Sequence, residues 1–280
     1  MKIIKIKILF IFLLFVVNNK ITYTRNSYTN TSRLKSINST LYNSVNKNNP
    51  EVGNYFLTYN SNQIGKAVIL DNNANILFYK EFNGTIFNLT LQPNGLLSVY
   101  STNNECYYIL DSLYNIIDSC STINGYIPNN HELILLENGH VLIMADYQQI
   151  IDMSEVVIDG KENATVTEVV IQELDENKGL VFEWRSWEHF NITDCDSSIN
   201  LTNDHIDYIH ANSLFIDSDT SLLLSSRNLC EITKINRITG EIIWRLGGKM
   251  NEFEFINDDK MFALQHSVQK LDNGNLILLR

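Results

Sequence analysis

Short runs of apolar and β-branched residues, separated by polar turns, follow one another through residues 51–280. Few segments show the 3.6-residue periodicity of a helix, so this pattern predicts strands joined by tight turns. An Asn-Gly pair followed by a strand-like run recurs three times, at Asn94, Asn138 and Asn273. Because Asn-Gly favours the tight turns that connect antiparallel strands, the chain predicts an all-β domain.

The spacing of these patterns indicates a repeat. The turns at Asn94 and Asn138 are 44 residues apart, and the strand-turn-strand units at Asp71 and Asp111 are 40 residues apart. A period of roughly 40–50 residues, built of short antiparallel strands, is typical of β-propeller blades. A β-sandwich also has many short strands, but it does not predict this period. We expect a fifth blade to begin near residue 262, after four blades at residues 51–87, 88–131, 132–190 and 205–250.

The last residues, 275–280, read as a strand. A propeller that does not close on itself leaves an exposed strand edge. We therefore expect a C-terminally incomplete propeller with about four to five blades in this chain.

The N-terminus predicts a targeting segment. Three lysines within the first seven residues precede the apolar run Ile8–Val17. A basic stretch followed by a short apolar run is typical of a secretory signal peptide, and this run is too short to span a bilayer comfortably. We predict a signal peptide at residues 1–24, with a signal-anchor as the alternative, and a flexible Asn/Ser-rich linker at residues 25–50. No stable membrane span is expected.

Two further features agree with a secreted glycoprotein. The number of cysteines is even, and they flank turn-like or loop-like segments, so we expect disulfides for Cys106–Cys120 and Cys195–Cys230, with four buried thiols as the alternative. Seven N-x-S/T sequons are present; they begin at Asn30, Asn38, Asn83, Asn88, Asn163, Asn191 and Asn200.

The formal net charge of −11 argues against nucleic acid or an anionic membrane as a partner. Any site for an anion must then be locally positive against the overall charge.

Candidate chemistry is concentrated in three polar spots beside strand-like runs. They contain His210 and Asn212, then Arg227 after two serines, then His266 after a glutamine. Two imidazoles, a carboxamide and a guanidinium that converge on one pocket suit the binding and transfer of an oxyanion such as sulfate or phosphate.

The ordered combination of these spots resembles the arylsulfotransferase family. It comprises H-x-N-S at 210–213, S-S-R at 225–227, T-G-x-I-x-W-x-L-G-G at 239–248 and Q-H at 265–266. The resemblance also takes in the segment from Asn130 to Gly139 and covers roughly residues 51–280. It implies a six-bladed propeller with its site on the central axis. It further implies transfer of a sulfuryl group from an aryl sulfate ester to a phenol, without a nucleotide sulfate donor.

The resemblance also implies roles for five residues. His266 is expected to be the nucleophile that carries the sulfuryl group, and His210 and Arg227 are further catalytic residues. His131 and Asn212 are expected to bind the substrate. No cofactor and no metal are implied; the partners are an aryl sulfate donor and a phenolic acceptor.

Two other functions remain open from the sequence. One is a non-catalytic propeller that binds a protein or a glycan. Many relatives have Asp at the position of Ser267, and this difference leaves the binding function open. The other is a quinone-dependent dehydrogenase, since T-G-x-I-x-W also recurs in those propellers, although they need more blades and a calcium-binding carboxylate set. The remaining histidines are interpreted as turn or loop residues and the tryptophans as blade-packing residues.

Overall fold

The computed structural model describes residues 53–217, 220–258 and 260–279. The signal peptide and the linker predicted for residues 1–50 lie outside the described residues. Within the described ranges, no helix is long and apolar enough to cross a membrane.

The described part of the chain consists of strands connected by turns and loops. It also contains three single-turn 3-10 helices, at Met153–Glu155, Ser186–Glu188 and Ile192–Asp194. The strands are β1 (Tyr55–Ser61), β2 (Ile64–Leu70), β3 (Ile76–Asn83), β4 (Ile86–Leu91), β5 (Leu97–Ser101), β6 (Cys106–Leu110), β7 (Ile116–Cys120), β8 (Ile127–Leu135), β9 (Val141–Ile151), β10 (Ala164–Leu174), β11 (Leu180–Arg185), β12 (His205–Asp207), β13 (Ala211–Ile216), β14 (Ser221–Ser226), β15 (Glu231–Asn236), β16 (Ile242–Gly247), β17 (His266–Lys270) and β18 (Leu276–Leu279).

The Asn-Gly turns behave as the sequence predicts. Gly95, Gly139 and Gly274 have φ angles of 81°, 84° and 82°. Glycine adopts this left-handed backbone without the steric cost that a side chain would add. Each of the three turns connects two antiparallel strands of one sheet.

Five successive sheets form, each from consecutive strands: β1–β3, β4–β7, β8–β11, β13–β16 and β17–β18. Neighbouring strands within each sheet are antiparallel; the short β12 adds a parallel pairing to the beginning of β10. The first strand of each sheet contacts the first strand of the next, from β1 through β4, β8 and β13 to β17. From β4 onward these first strands are the inner strands of propeller blades, so the predicted all-β propeller class is confirmed. β1 differs, because Asn60 near its end exchanges hydrogen bonds with Ile86 at the start of β4.

Several predicted blade boundaries differ from the observed ones. β12, expected in the fourth blade, pairs with β10 of the third, and the second blade begins with β4 at Ile86, not at residue 88. The third blade begins with β8 at Ile127, not at residue 132, so His131 lies on the inner strand of the third blade. The Asn129-Asn130 pair looks like a turn in the sequence. In the structure it is part of an irregularity inside β8, between Pro128 and Leu133.

Apolar side chains between neighbouring blades form the core. The largest cluster joins the third and fourth blades and includes Leu142, Ile171, Leu222 and Leu224, all fully buried. Trp184 lies in the same cluster, and its indole nitrogen donates to the Gly240 carbonyl across the blade boundary at 3.0 Å. Trp184 therefore packs as predicted, whereas Trp187 is 38% exposed.

The four cysteines are buried free thiols, so the expected disulfides are not observed. In the β6–β7 ladder Cys120 lies opposite Tyr107, which leaves Cys106 one position out of register. Successive side chains of a strand point to opposite faces, so the two thiols do not face each other. Burial raises the pKa of Cys120 to about 11, which makes it an unreactive thiol.

Candidate functional site

Three imidazoles from three blades converge where the inner strands begin. One ring nitrogen from each of His131, His210 and His266 lies within 4.8 Å of the others. The ring centroids are 5.6 Å apart for His131 and His210, 6.4 Å for His131 and His266, and 6.2 Å for His210 and His266. All three residues are partly exposed, so a ligand can reach them.

A bulge in each of the inner strands β4, β8, β13 and β17 lies at this cluster. The register slips at residues 88–89 in β4, 129–132 in β8, Asn212 in β13 and 267–268 in β17. The β1–β2 pairing has no slip. Bulges redirect side chains and occur frequently beside active sites. Here they repeat at one level of the propeller and bring side chains of successive blades together.

Left-handed backbone marks the same places. His210 has a φ of 45°, and Leu264 and Ser267, on either side of Gln265 and His266, have φ angles of 54° and 55°. Such angles are unfavourable for residues with a side chain and cost of order 1–3 kcal/mol each when the surrounding structure enforces them. Strain of this kind collects at functional sites, and these residues flank two of the three histidines.

His210 is held by a carboxylate. Its Nδ1 lies 2.8 Å from Oδ2 of Asp207, and its backbone N–H donates to Oδ1 of the same residue at 2.8 Å. The backbone N–H of Arg227 donates to the His210 carbonyl at 3.0 Å, which puts the end of β14 beside this ring. One Arg227 nitrogen donates to Asn228, and the side chain remains partly exposed.

His131 is held by an amide. Its Nδ1 lies 2.8 Å from Oδ1 of Asn129, whose amide nitrogen donates to Asp146 at 2.7 Å. Asn88, at the bulge of the preceding inner strand, donates to the His131 carbonyl at 2.5 Å. The ring and its backbone are thus fixed by separate partners from two blades.

His266 follows a fully buried glutamine. The Gln265 amide nitrogen donates to the carbonyls of Ser226 and Glu231, and the Gln265 carbonyl accepts from the Asn212 amide at 2.8 Å. The Asn212 oxygen in turn accepts from the Ser267 backbone N–H at 3.3 Å. Asn212 is therefore buried and braces the backbone on both sides of His266.

These partners fix which ring nitrogens carry protons. Nδ1 of His131 and of His210 each faces an oxygen acceptor, and the His266 ring hydrogen-bonds the Leu264 backbone. In a neutral imidazole the nitrogen that donates carries the proton and the other carries the lone pair. In neutral His131 and His266 rings, the nitrogen opposite the hydrogen-bonded one is therefore unprotonated and basic.

Burial favours the uncharged form of His131 and His266. It lowers the pKa of His131 to about 4, with His210 and His266 as further causes. Burial also lowers the pKa of His266; a backbone hydrogen bond at Leu264 opposes this effect, and the nearby His210 and Arg227 add to it. At neutral pH both imidazoles are nucleophilic bases rather than cations.

Carboxyl groups beside the cluster are also affected. Burial raises the pKa of Asp146, although its hydrogen bond from Asn129 opposes the rise. Glu132 is partly exposed as a residue, yet its carboxyl is desolvated and its pKa is raised to about 8. Glu132 is therefore largely protonated at neutral pH.

The structure brings the five predicted site residues to one end of the inner strands, with Asn212 supporting the backbone rather than lining open space. Sequence reasoning assigned no orienting role to Asn88, Asn129, Asp146, Asp207 and Gln265. Gln265 belongs to the Q-H motif, and Asn129 and Asp207 stand within three residues of a predicted histidine, which are the signals that the sequence offers for these three.

The Arylsulfotransferase (ASST) family profile matches residues 41–279. The chain belongs to the arylsulfotransferase family. No curated protein matches the sequence.

Solved structures show only distant similarity. A protein of unknown function from Bacteroides caccae is 10% identical, with a TM-score of 0.45, over 76% of this chain and 60% of that protein. A streptogramin B lyase is 12% identical, with a TM-score of 0.43, over 81% of this chain and 66% of the lyase. A virginiamycin B lyase from Staphylococcus aureus is 11% identical, with a TM-score of 0.41, over 82% of this chain and 68% of the lyase. This chain thus spans less than two thirds of the length of the first two proteins.

Proposed function

We propose that this protein transfers a sulfuryl group from an aryl sulfate ester to a phenolic acceptor, through a sulfohistidine at His266. The observation that carries the proposal is the His266 ring itself. It keeps an unprotonated nitrogen, it faces two further imidazoles within 4.8 Å, and Arg227 contributes positive charge beside it.

In the first step the His266 nitrogen attacks the sulfur of the donor. The N–S bond forms, the bond from sulfur to the aryl oxygen breaks, and the aryl oxide leaves with the electron pair. Charge is spread over the oxygens of the transferred group, as in phosphoryl transfer, so positioning and positive charge supply most of the catalysis. Arg227 suits this role because its planar guanidinium donates several hydrogen bonds and stays charged.

In the second step the phenol oxygen attacks the same sulfur and the N–S bond breaks. The phenolic proton passes to a basic ring nitrogen, for which His131 and His210 are the candidates, and His266 regains its lone pair. Because the covalent intermediate divides the transfer into two steps, ping-pong kinetics are expected.

The experiment incubates the full-length chain with p-nitrophenyl sulfate and phenol. Wild type should release nitrophenol and form phenyl sulfate, and mass spectrometry after donor alone should find a sulfuryl group on His266. His266→Ala should lose both signals. His205→Gln, which changes an exposed imidazole outside the cluster, is the matched control and should retain them.

Release of nitrophenol by His266→Ala at the wild-type rate would overturn the covalent mechanism. Binding of the donor without any release in wild type would favour a non-catalytic binding propeller.

Secretion is a further part of this proposal, supported by the N-terminal pattern and by exposed sequon asparagines such as Asn163, Asn191 and Asn200. Asn88 differs from these because its amide donates to His131 and is only partly exposed. In a eukaryotic secretory host, we expect glycosidase treatment to remove mass at the exposed sequons and none at Asn88. A glycan-free secreted product would contradict this part of the proposal.

A further inference from the structure

One ring nitrogen from each histidine of the cluster lies within 4.8 Å of the other two, which is close to the arrangement of a metal site. Neutral imidazoles are common ligands of zinc and other late first-row transition metals. Three histidines with an open fourth position form one of the recurrent zinc coordination sets. The described residues contain one such group of ligand atoms, that of His131, His210 and His266.

The partners of the rings strengthen this assignment. A histidine that binds a metal usually donates its other ring N–H to a carboxylate or carbonyl oxygen, which fixes the tautomer and makes the ligand more basic. His210 has this arrangement with Asp207, and His131 has it with the Asn129 amide oxygen, each at 2.8 Å. His266 has a hydrogen bond to the Leu264 backbone.

Charge and geometry allow a cation at this point. Asp207 contributes a carboxylate directly behind His210, which partly offsets the charge of Arg227 near His266. Tetrahedral zinc with Zn–N bonds of about 2.0–2.1 Å places its ligand nitrogens about 3.4 Å apart. From separations of up to 4.8 Å, the rings would have to move by about 1 Å to reach that geometry.

We propose that His131, His210 and His266 bind one divalent transition-metal ion of the zinc class, and that the bound ion blocks the His266 nitrogen. The lone pair that would attack a sulfate ester is the one that would coordinate the metal. The ion and the sulfuryl group would therefore exclude each other, and a free transition metal would inhibit the protein reversibly. The metal site itself does not depend on sulfuryl transfer, because it requires only the three nitrogens.

The test uses Co²⁺ as a spectroscopic probe on the full-length, chelator-treated protein. Co²⁺ bound by three imidazoles and a solvent molecule gives intense visible bands, and Zn²⁺ should abolish them with a stoichiometry of one ion per chain. Alanine or glutamine at any one of the three histidines should remove the bands. Asp207→Asn should weaken Co²⁺ affinity by roughly 10–100-fold, the usual effect of changing an outer hydrogen-bond partner. His205→Gln should bind as wild type does.

Arg227→Met separates this proposal from the sulfotransferase proposal. The variant should keep Co²⁺ binding and lose nitrophenol release, so each proposal can fail while the other holds. Equal Co²⁺ affinity in wild type and in cluster variants whose thermal melting matches wild type would mean adventitious surface binding and would overturn the site. Absence of visible bands in wild type at millimolar Co²⁺ would overturn it as well.

Discussion

At the scale of single residues, the site keeps His131 and His266 neutral instead of using them as permanent cations. A histidine whose pKa is lowered holds its lone pair at a more acidic pH than an ordinary imidazole. For His266 the lowered pKa follows mainly from burial, with smaller contributions from His210 and Arg227. The permanent positive charge for an anionic substrate must then come from Arg227.

The first prediction concerns the acid limb of the donor half-reaction. Because protonation of His266 removes the nucleophile, the single-turnover rate of nitrophenol release should fall as pH decreases through the pKa of His266. That pKa is lowered, so the fall should come below the ordinary imidazole value of about 6.5. Stopped-flow release measured from acidic to neutral pH checks this. A midpoint at or above the ordinary value would show that burial does not control the nucleophile.

The second prediction concerns proton uptake on donor binding. Neutral His131 presents a lone pair to the pocket, so it can donate to a sulfate oxygen only after gaining a proton. Donor binding near neutral pH should therefore take up a proton, and affinity should increase as pH falls. Calorimetry in buffers of different ionisation enthalpy measures the uptake, with catalytically inactive His266→Ala as the host protein.

Adding His131→Gln to that host should reduce the uptake, because an amide donates without changing charge. Unchanged uptake in the double variant would assign the proton to another group, with His210 as the next candidate.

At the scale of strands, the repeated bulges position the site. Asn88 is the clearest case: it lies at the β4 bulge with a φ of 52°, and its side chain holds the His131 backbone. It therefore acts on the site from a strand that contributes no histidine.

The third prediction separates the two contributions of Asn88. Asn88→Gly keeps the left-handed backbone and loses the hydrogen bond, at a cost of about 1 kcal/mol. Asn88→Ala also incurs the cost of a left-handed alanine, another 1–2 kcal/mol or so. Denaturant unfolding measures both, and each variant should also lower the rate of donor turnover.

Asn62→Ala is the control, since Asn62 has a φ of 51° on an exposed turn and is none of the cluster histidines. It should lose stability but retain turnover. Equal turnover in Asn88→Gly and wild type would show that the bond to the His131 carbonyl does not position the ring.

The same elements show how far sequence reasoning reaches. Alternating apolar runs, Asn-Gly turns and their period depend on local chemistry, so the strands and blades could be predicted from them. Bulges could not: Asn129-Asn130 has the composition of a turn, and only its pairing with β9 makes it part of a strand. The resemblance supplied the site residues, but the ring-orienting contact of Asn129 and the bracing contacts of Gln265 depend on backbone geometry that the sequence pattern does not encode.

At the scale of the whole molecule, polar contacts across blade boundaries add to the apolar core. Glu173 of the third blade accepts two hydrogen bonds from Arg237 of the fourth, at 2.7 and 2.6 Å, and one from His140 at 2.8 Å. Glu173 is 5% exposed, so this ion pair is shielded from solvent. Burial alone would raise the pKa of Glu173, but the bonds from Arg237 and His140 outweigh it and lower the pKa.

The fourth prediction follows from that lowered pKa. A carboxyl with a lower pKa in the folded state than in the unfolded state binds fewer protons when folded. Its stabilisation is then fully present above the unfolded value of about 4.3 and is lost as pH falls through the folded pKa. Glu173→Gln should destabilise the protein by about 3 kcal/mol at neutral pH, since it leaves Arg237 shielded and unpaired. The difference from wild type should shrink at acidic pH, where the Glu173 carboxylate of wild type also loses its charge.

Adding Arg237→Met to Glu173→Gln should restore part of the loss, because no unpaired charge remains between the blades. Thermal unfolding of the three variants at neutral and acidic pH checks this. If the loss is equal at both pH values and the second substitution adds its full cost, the charge of the Glu173–Arg237 pair does not stabilise the contact between the third and fourth blades.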